Sequence, residues 1–203
     1  MFLALEKNIK RILNINIEEE RKAILEVFID FIKKKCKENI EINLNFICTH
    51  NSRRSQFSQI WAHTAAVFYN IEANCYSGGT EVTTFNEIAV DTIRRSGFEI
   101  KIDRKNKNPF YYISYDKDNE DIKCFSKLYD HPINKKDSFA AIMNCSHADE
   151  NCPLIPGAEI RIPIQYKDPK KFDNTPEEKY RYDECSDQIA SELFYVFKTV
   201  AGN

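Results

Sequence analysis

Residues 42–55 read Ile42-Asn43-Leu44-Asn45-Phe46-Ile47-Cys48-Thr49-His50-Asn51-Ser52-Arg53-Arg54-Ser55, and the fold follows from how this stretch divides. Ile42 to Ile47 alternate apolar and polar side chains, as a strand does, and end at Cys48. A short polar loop follows. Gln56 to Tyr69 is then rich in alanine and aromatics, which predicts a helix. Strand, loop and helix in this order open a βα unit.

On the N-terminal side, Ala23, Ile24, Val27, Phe28, Phe31 and Ile32 recur at helical spacing within a segment running from Ile17 to Lys37. Glu18 to Glu20 open that segment and a lysine run, Lys33 to Lys37, closes it, which suits the helix dipole and reads as a solvated end. Residues 1–13 predict a shorter helix. Residues 1–40 are therefore read as an N-terminal helical extension, and 41–203 as one domain.

On the C-terminal side, Ser77-Gly78-Gly79-Thr80 predicts a turn, and Phe85 to Ser96 a helix capped by Gly97. Phe98 to Ile102 is a short strand candidate. Tyr111 to Tyr115 and Ile122 to Phe125 flank an acidic stretch and suggest a hairpin insert. Phe139 to Met143 is the short apolar run of a buried parallel strand, Ile160 to Ile164 is another, and Thr175 to Phe197 predicts a long closing helix. Strands alternating with helices give an α/β three-layer sandwich with a central parallel sheet.

The 203 residues are 42% hydrophobic and 30% charged, enough apolar matter for a core and too much for disorder. Lysine and arginine number 29 against 31 acidic residues, a net charge of −2. That balance gives no reason to expect nucleic acid or an anionic membrane as partner, so any anion site must be local. Glu6, Lys7, Lys10 and Arg11 break up the apolar residues of the N-terminus, and no run approaches the roughly 18 needed to span a membrane. A cytoplasmic location is expected. There the seven cysteines would be buried, catalytic or redox-active rather than structural disulfides.

Cys48 to Ser55 carries the clearest chemistry. A cysteine at the end of a strand, with an arginine at the following helix start, makes a compact anion trap. Successive backbone N–H groups can converge on one oxyanion, helped by the helix N-terminus. Thr49, His50, Asn51, Ser52, Arg53 and Ser55 supply that loop, and Arg54 adds a forked, permanently charged clamp. The same positive field stabilises a Cys48 thiolate. Ser55 is placed to donate to the sulfur, and Asn51 to hold the loop's shape.

On these residues the sequence resembles the low-molecular-weight tyrosine phosphatases and the thioredoxin-coupled arsenate reductases built on the same fold, and it is closest to the reductases. The resemblance runs from about Asn43 to Phe197. It implies Cys48 as nucleophile, Arg54 as oxyanion clamp, and Asn51 and Ser55 as supports of loop and thiolate. His50 stands where many members carry glycine. Asp168-Pro169 follows the strand ending at Ile164 and could be an ordinary turn, but its place matches the family's general-acid loop. Arg53 replaces a cysteine of many relatives, and Gln59 replaces an acidic residue that helps some reductases bind potassium. The family's potassium ion is therefore not carried over.

Cys145 and Cys152, seven residues apart after Phe139 to Met143, could be packed thiols or a zinc pair with His147. The family's arsenate reductases have a redox pair with this spacing and place. The resemblance then implies a relay: Cys48 attacks arsenate, Cys145 attacks Cys48, and Cys152 attacks Cys145 to expose a disulfide for thioredoxin. The expected function is thioredoxin-coupled reduction of arsenate to arsenite, a step of arsenic detoxification, with no bound cofactor or metal. The alternative is a protein-tyrosine phosphatase using Cys48, Arg54 and Asp168 on phosphotyrosine proteins. Phosphatases of this fold usually follow Asp-Pro with a ring-gripping tyrosine; here Lys170 and Lys171 follow, and Tyr166 is the nearest substitute. A non-catalytic oxyanion-binding module is the third reading, disfavoured because nucleophile, clamp and acid are all present. Cys36, Cys75, Cys124 and Cys185 are expected to be packed thiols, and His63 and His131 structural.

Overall fold

The computed structural model describes residues 1–146, 148 and 154–202. In chain order its elements are α1 (Leu3–Ile12), α2 (Glu19–Glu38), β1 (Asn43–Cys48), α3 (Arg54–Phe68), β2 (Asn74–Gly79) and α4 (Glu87–Arg95). There follow β3 (Glu99–Asp103), β4 (Phe110–Ser114), β5 (Ile122–Cys124), β6 (Phe139–Met143), β7 (Ala158–Pro163), a 3-10 turn at Pro169–Phe172, and α5 (Glu178–Ala201). No helix among the described residues is long and apolar enough to cross a membrane.

The central sheet has the order β2-β1-β6-β7 and all its pairings are parallel, which is the predicted α/β architecture. β1 is buried along its whole length, unlike the half-exposed strand its alternation suggests. Its asparagines can lie inside because they find partners: Asn45 donates to the Tyr129 carbonyl at 2.9 Å and Asn43 to that of Ser138 at 3.3 Å. Leu44, Phe46, Ala140 and Ile142 join one hydrophobic cluster with the helices, while Ile47, Ala141 and Met143 join another with Cys145, Ala148 and Ile155. The two clusters cover opposite faces, as the strand period requires.

Ser77-Gly78-Gly79 is strand rather than turn, a correction with a steric reason. A Cβ on Gly78 would stand 2.2 Å from the Tyr129 Cα, and one on Gly79 would stand 2.6 Å from the Thr49 carbonyl oxygen. The glycines are there for close backbone approach, not for bending. The insert also exceeds a hairpin: β3 pairs antiparallel with β4, and β4 with β5, in a second three-stranded sheet.

α5 touches α1, α2, α3, α4 and the 3-10 turn, and so organises the helical layer. Leu5, Ile9 and Ile12 of α1, and Leu25, Phe28, Ile29 and Ile32 of α2, are fully buried in the same cluster as α3 and α5. α1 crosses the end of α4 at Gly97, where a Cβ would meet the Leu5 nitrogen at 2.5 Å and φ is +104°. Both facts call for glycine. Two further expectations need correcting. Lys35, within the run read as a solvated helix end, is buried against the Phe31 ring and bonds Glu159 of β7 at 2.6 Å. Cys36, expected to be packed, is exposed.

Burying an isoleucine side chain contributes about 1.5–3 kcal/mol, and truncating it adds a cavity term. Ile9→Ala should therefore lower the urea unfolding free energy by about 2–5 kcal/mol. A change near zero would mean that α1 adds nothing to the core.

Candidate active site

The chain passes from β1 to β2 on one side, while β6 and β7 lie on the other, so strand order reverses between β1 and β6. Ligands of parallel α/β sheets bind at the carboxyl ends of strands beside such a reversal. Cys48 closes β1 there, and Cys145 lies just beyond the end of β6.

The loop from Thr49 to Arg53 is held by its carbonyls. The Thr49 carbonyl accepts from the N–H groups of Thr80 and Glu81, both at 2.9 Å. That of His50 accepts from the hydroxyls of Ser126 at 2.8 Å and Thr83 at 3.2 Å. Asn51 receives the Gln56 amide at 3.0 Å, and Ser52 the Asn86 N–H at 3.0 Å. In a trans peptide the N–H points opposite its carbonyl. Carbonyls tied to the surrounding chain therefore turn the N–H groups of His50, Asn51, Ser52 and Arg53 the other way, into the loop. The N-terminus of α3 adds its own N–H groups and positive dipole end.

Asn51 takes the left-handed conformation at φ 46°, one of the few side-chain-bearing residue types that do so readily. Its amide donates to Ser55 Oγ at 2.9 Å, and its Oδ1 accepts the Lys127 N–H at 3.0 Å. Ser55 Oγ lies 3.0 Å from Cys48 Sγ. With one Ser55 lone pair engaged by Asn51, its hydroxyl proton is free to be donated to a Cys48 thiolate, which can only accept. Cys48 itself is 4% exposed.

Arg54 donates through Nη1 to the Tyr166 carbonyl at 3.0 Å and through Nη2 to Asp168 Oδ2 at 2.5 Å. Asp168 also caps the 3-10 turn, its Oδ1 accepting the Lys170 N–H at 3.0 Å. Clamp and acid candidates, 114 residues apart in sequence, are thus paired at the mouth of the loop. Cys145 Sγ lies 3.4 Å from the Thr49 hydroxyl, within the cluster that contains Cys48. Cys152 and His147 lie outside the described residues.

Other residues behave differently from their sequence reading. The Arg53 side chain is turned away from the loop to Asp173 at 3.2 Å and the Tyr182 hydroxyl at 2.7 Å, leaving its backbone N–H for an anion. His50 Nε2 faces Glu81 at 3.3 Å, and Ser52 Oγ donates to the Thr84 carbonyl at 2.6 Å. Tyr166 cannot grip a substrate ring, because its own ring is buried under the Arg21 guanidinium. Burial and the nearby Glu192 push its hydroxyl well above the ordinary tyrosine range. Burial likewise pushes the thiols of Cys124 and Cys185 up to about 12 and raises that of Cys75, so these three are inert at neutral pH. His63 is half-buried beside the Tyr115 ring; the loss of solvent lowers its pKa, which suits a structural role.

No family model matches the chain. An arsenate reductase from Oceanobacillus iheyensis is 28% identical over 155 residues, 76% of this chain and 94% of the relative. Arsenate reductase 2 of Staphylococcus saprophyticus is 32% identical over 111 residues, 55% of this chain and 66% of the relative. A low-molecular-weight phosphotyrosine phosphatase from Vibrio cholerae superposes with a TM-score of 0.50 at 12% identity, covering 76% of this chain and 93% of its own. The chain thus has the fold of the low-molecular-weight phosphatases and is similar in sequence to arsenate reductases. A YwlE mutant from Bacillus subtilis shares the fold at a TM-score of 0.50 and 11% identity, covering 78% of this chain and 98% of its own.

Sequence reasoning missed Lys127, Gln56 and Ser126, which hold the loop from outside. Nothing in their local pattern marks them. Lys127 is 3% exposed; its ammonium donates to Ser77 Oγ at 3.3 Å and lies 4.9 Å from the Phe125 ring centroid. Burial, with Lys123 adding, pulls its pKa down to about 8. The folded protein gives up this proton earlier than the unfolded chain, whose lysines titrate near about 10.4. The stability penalty is thus full below pH of about 8 and relieved as pH rises toward about 10.4. Lys127→Met should stabilise the protein at pH 7 by on the order of 1–3 kcal/mol, and by less at pH 10. Chemical denaturation at the two pH values checks this; a gain independent of pH would contradict it.

Proposed function

We propose that the chain reduces arsenate to arsenite, using Cys48 as nucleophile and thioredoxin as the external reductant. The observation that carries this reading is the second thiol: Cys145 Sγ stands 3.4 Å from the hydroxyl of Thr49, the residue next to Cys48. Relatives named arsenate reductases, matched across most of their own length, support it.

In this reading arsenate takes over the inward N–H groups of the loop and the two donors of Arg54. The guanidinium then turns from Asp168 to the oxyanion, and the carboxyl faces the substrate. The Cys48 thiolate attacks arsenic, an oxygen leaves as water with a proton from Asp168, and a thiol–arsenate adduct remains. The Cys145 thiolate attacks Cys48 Sγ; the bond from that sulfur to arsenic breaks and its electron pair stays on arsenic. Arsenic gains two electrons and leaves as arsenite, while two thiols become the Cys48–Cys145 disulfide. Cys152 then attacks Cys145, returning the Cys48 thiolate, and thioredoxin reduces the Cys145–Cys152 disulfide. No bound cofactor enters any step.

A second reading keeps its place because Cys48, Arg54 and Asp168 suffice for phosphoester hydrolysis, where water rather than a thiol resolves the adduct. The burial of Tyr166 weakens it for phosphotyrosine proteins, since the acid loop then offers Lys170 and Lys171 where a ring-gripping aromatic is usual.

Steady-state assays with arsenate, thioredoxin, thioredoxin reductase and NADPH, run beside an aryl phosphate assay, separate the two. Cys145→Ser should abolish sustained arsenate turnover while preserving aryl phosphate hydrolysis. Wild-type arsenate turnover in that variant would end the relay. Arg54→Lys should lower both activities about 100-fold or more, because an ammonium cannot span two oxyanion oxygens. Near-normal kcat/KM would remove Arg54 from the clamp role.

A further inference from the structure

The first turn of α2 reaches the acid loop through one side chain. Arg21 forms a two-pronged ion pair with Glu192 of α5, Nε to Oε1 at 2.9 Å and Nη2 to Oε2 at 2.6 Å. Glu192 is 2% exposed and also receives the Gln188 amide at 3.0 Å, so this pair is anchored within the helical layer. The remaining nitrogen, Nη1, lies 3.4 Å from the Gln165 carbonyl, and the guanidinium lies 5.3 Å from the Tyr166 ring centroid.

Those two residues belong to the segment that carries the acid. The Tyr166 N–H donates to the Asn144 carbonyl at 3.2 Å, and the Tyr166 carbonyl receives Arg54 Nη1 at 3.0 Å. Asp168 follows two residues later. Residues 165 and 166 are therefore held by Arg54 from the anion loop and by Arg21 from the N-terminal helices. Arg21, Tyr166, Asp168 and Glu192 also line one cleft of about 940 Å³.

We propose that Arg21 is a positioning residue for the acid loop: it clasps the loop against α5 and so sets where the Asp168 carboxyl stands. The inference rests on Asp168 serving Cys48 as the acid. The chemistry suits arginine alone. A planar fork can bond both Glu192 oxygens, reach a carbonyl and lie over a ring at once, whereas lysine offers one compact charge. Full removal of Arg21 would leave Glu192 buried and charged without its partner, a change that endangers the fold.

The test therefore uses Arg21→Lys. The double variant Arg21→Met, Glu192→Leu gives a second check of the same contact, since it removes both charges together. The first readout is amide hydrogen exchange in the peptide spanning 165–172. In both variants it should accelerate about 10-fold, with peptides from β1 and α3 unchanged. The second readout is the leaving-group dependence of aryl phosphate hydrolysis. The kcat for phenyl phosphate, which needs the acid, should fall about 10-fold, while that for nitrophenyl phosphate changes much less. Unchanged exchange in 165–172 overturns the clasp. Faster exchange with equal losses on both substrates overturns its link to the acid. If the wild-type protein turns over neither arsenate nor an aryl phosphate, the proposed function falls, and the exchange readout still decides whether Arg21 holds the loop.

Discussion

The structure depends on a constraint at the loop after β1: its peptide N–H groups must face one point, and they do so because their carbonyls are bonded elsewhere. The partners come from the chain around it. Thr80, Glu81 and Thr83 follow β2, Asn86 caps α4, and Ser126 belongs to the return from the second sheet. A loop built this way is preorganised, so an arriving oxyanion finds dipoles already aimed at it and no reorganisation is needed. The requirement propagates outward. Gly79 has to be glycine because a Cβ there would meet the Thr49 oxygen at 2.6 Å and the Asn51 nitrogen at 2.9 Å.

The same logic explains why the insert and the N-terminal helices are not ornaments. The segment after β5 supplies the Ser126 hydroxyl and the Lys127 N–H to the loop, and the Lys127 ammonium is buried beside Ser77 of β2. α1 and α2 close the core from the other end of the chain, with Phe28 edge-on to Phe46 of β1 at 6.3 Å. α5 joins these parts because every other described helix packs against it. Burial also sorts the thiols. Cys75, Cys124 and Cys185 sit among apolar atoms that disfavour an anion, whereas Cys48 faces a serine hydroxyl and a ring of N–H groups.

Local pattern read most of the elements correctly because it reflects local causes. The apolar run Phe139 to Met143 is a fully buried strand, and the periodic residues Phe28, Phe31 and Ile32 of α2 face the core. The failures have a common origin in neighbours distant along the chain. Ser77 to Gly79 looks like a turn until Tyr129 is seen against Gly78. Lys35 looks solvated until Glu159 is placed beside it. Phe98 to Ile102 looks like one more sheet strand, yet its antiparallel partner in β4 takes the pairing core of that segment, Glu99–Asp103, into a second sheet.

The sequence by itself determined the anion loop, because Cys48 to Ser55 is short enough for spacing alone to set which groups converge. Cys48, Asn51 and Ser55 meet within eight residues, a stretch that already includes Arg54 at the helix start. Tertiary structure alone decided what the loop works with. Asp168 reaches Arg54 across 114 residues, Cys145 reaches Thr49 across 96, Lys127 reaches Asn51 across 76, and Arg21 reaches Glu192 across 171. No local period encodes such contacts. They exist because parallel strands bring their carboxyl ends to one edge and the helices that cover the sheet pack along α5.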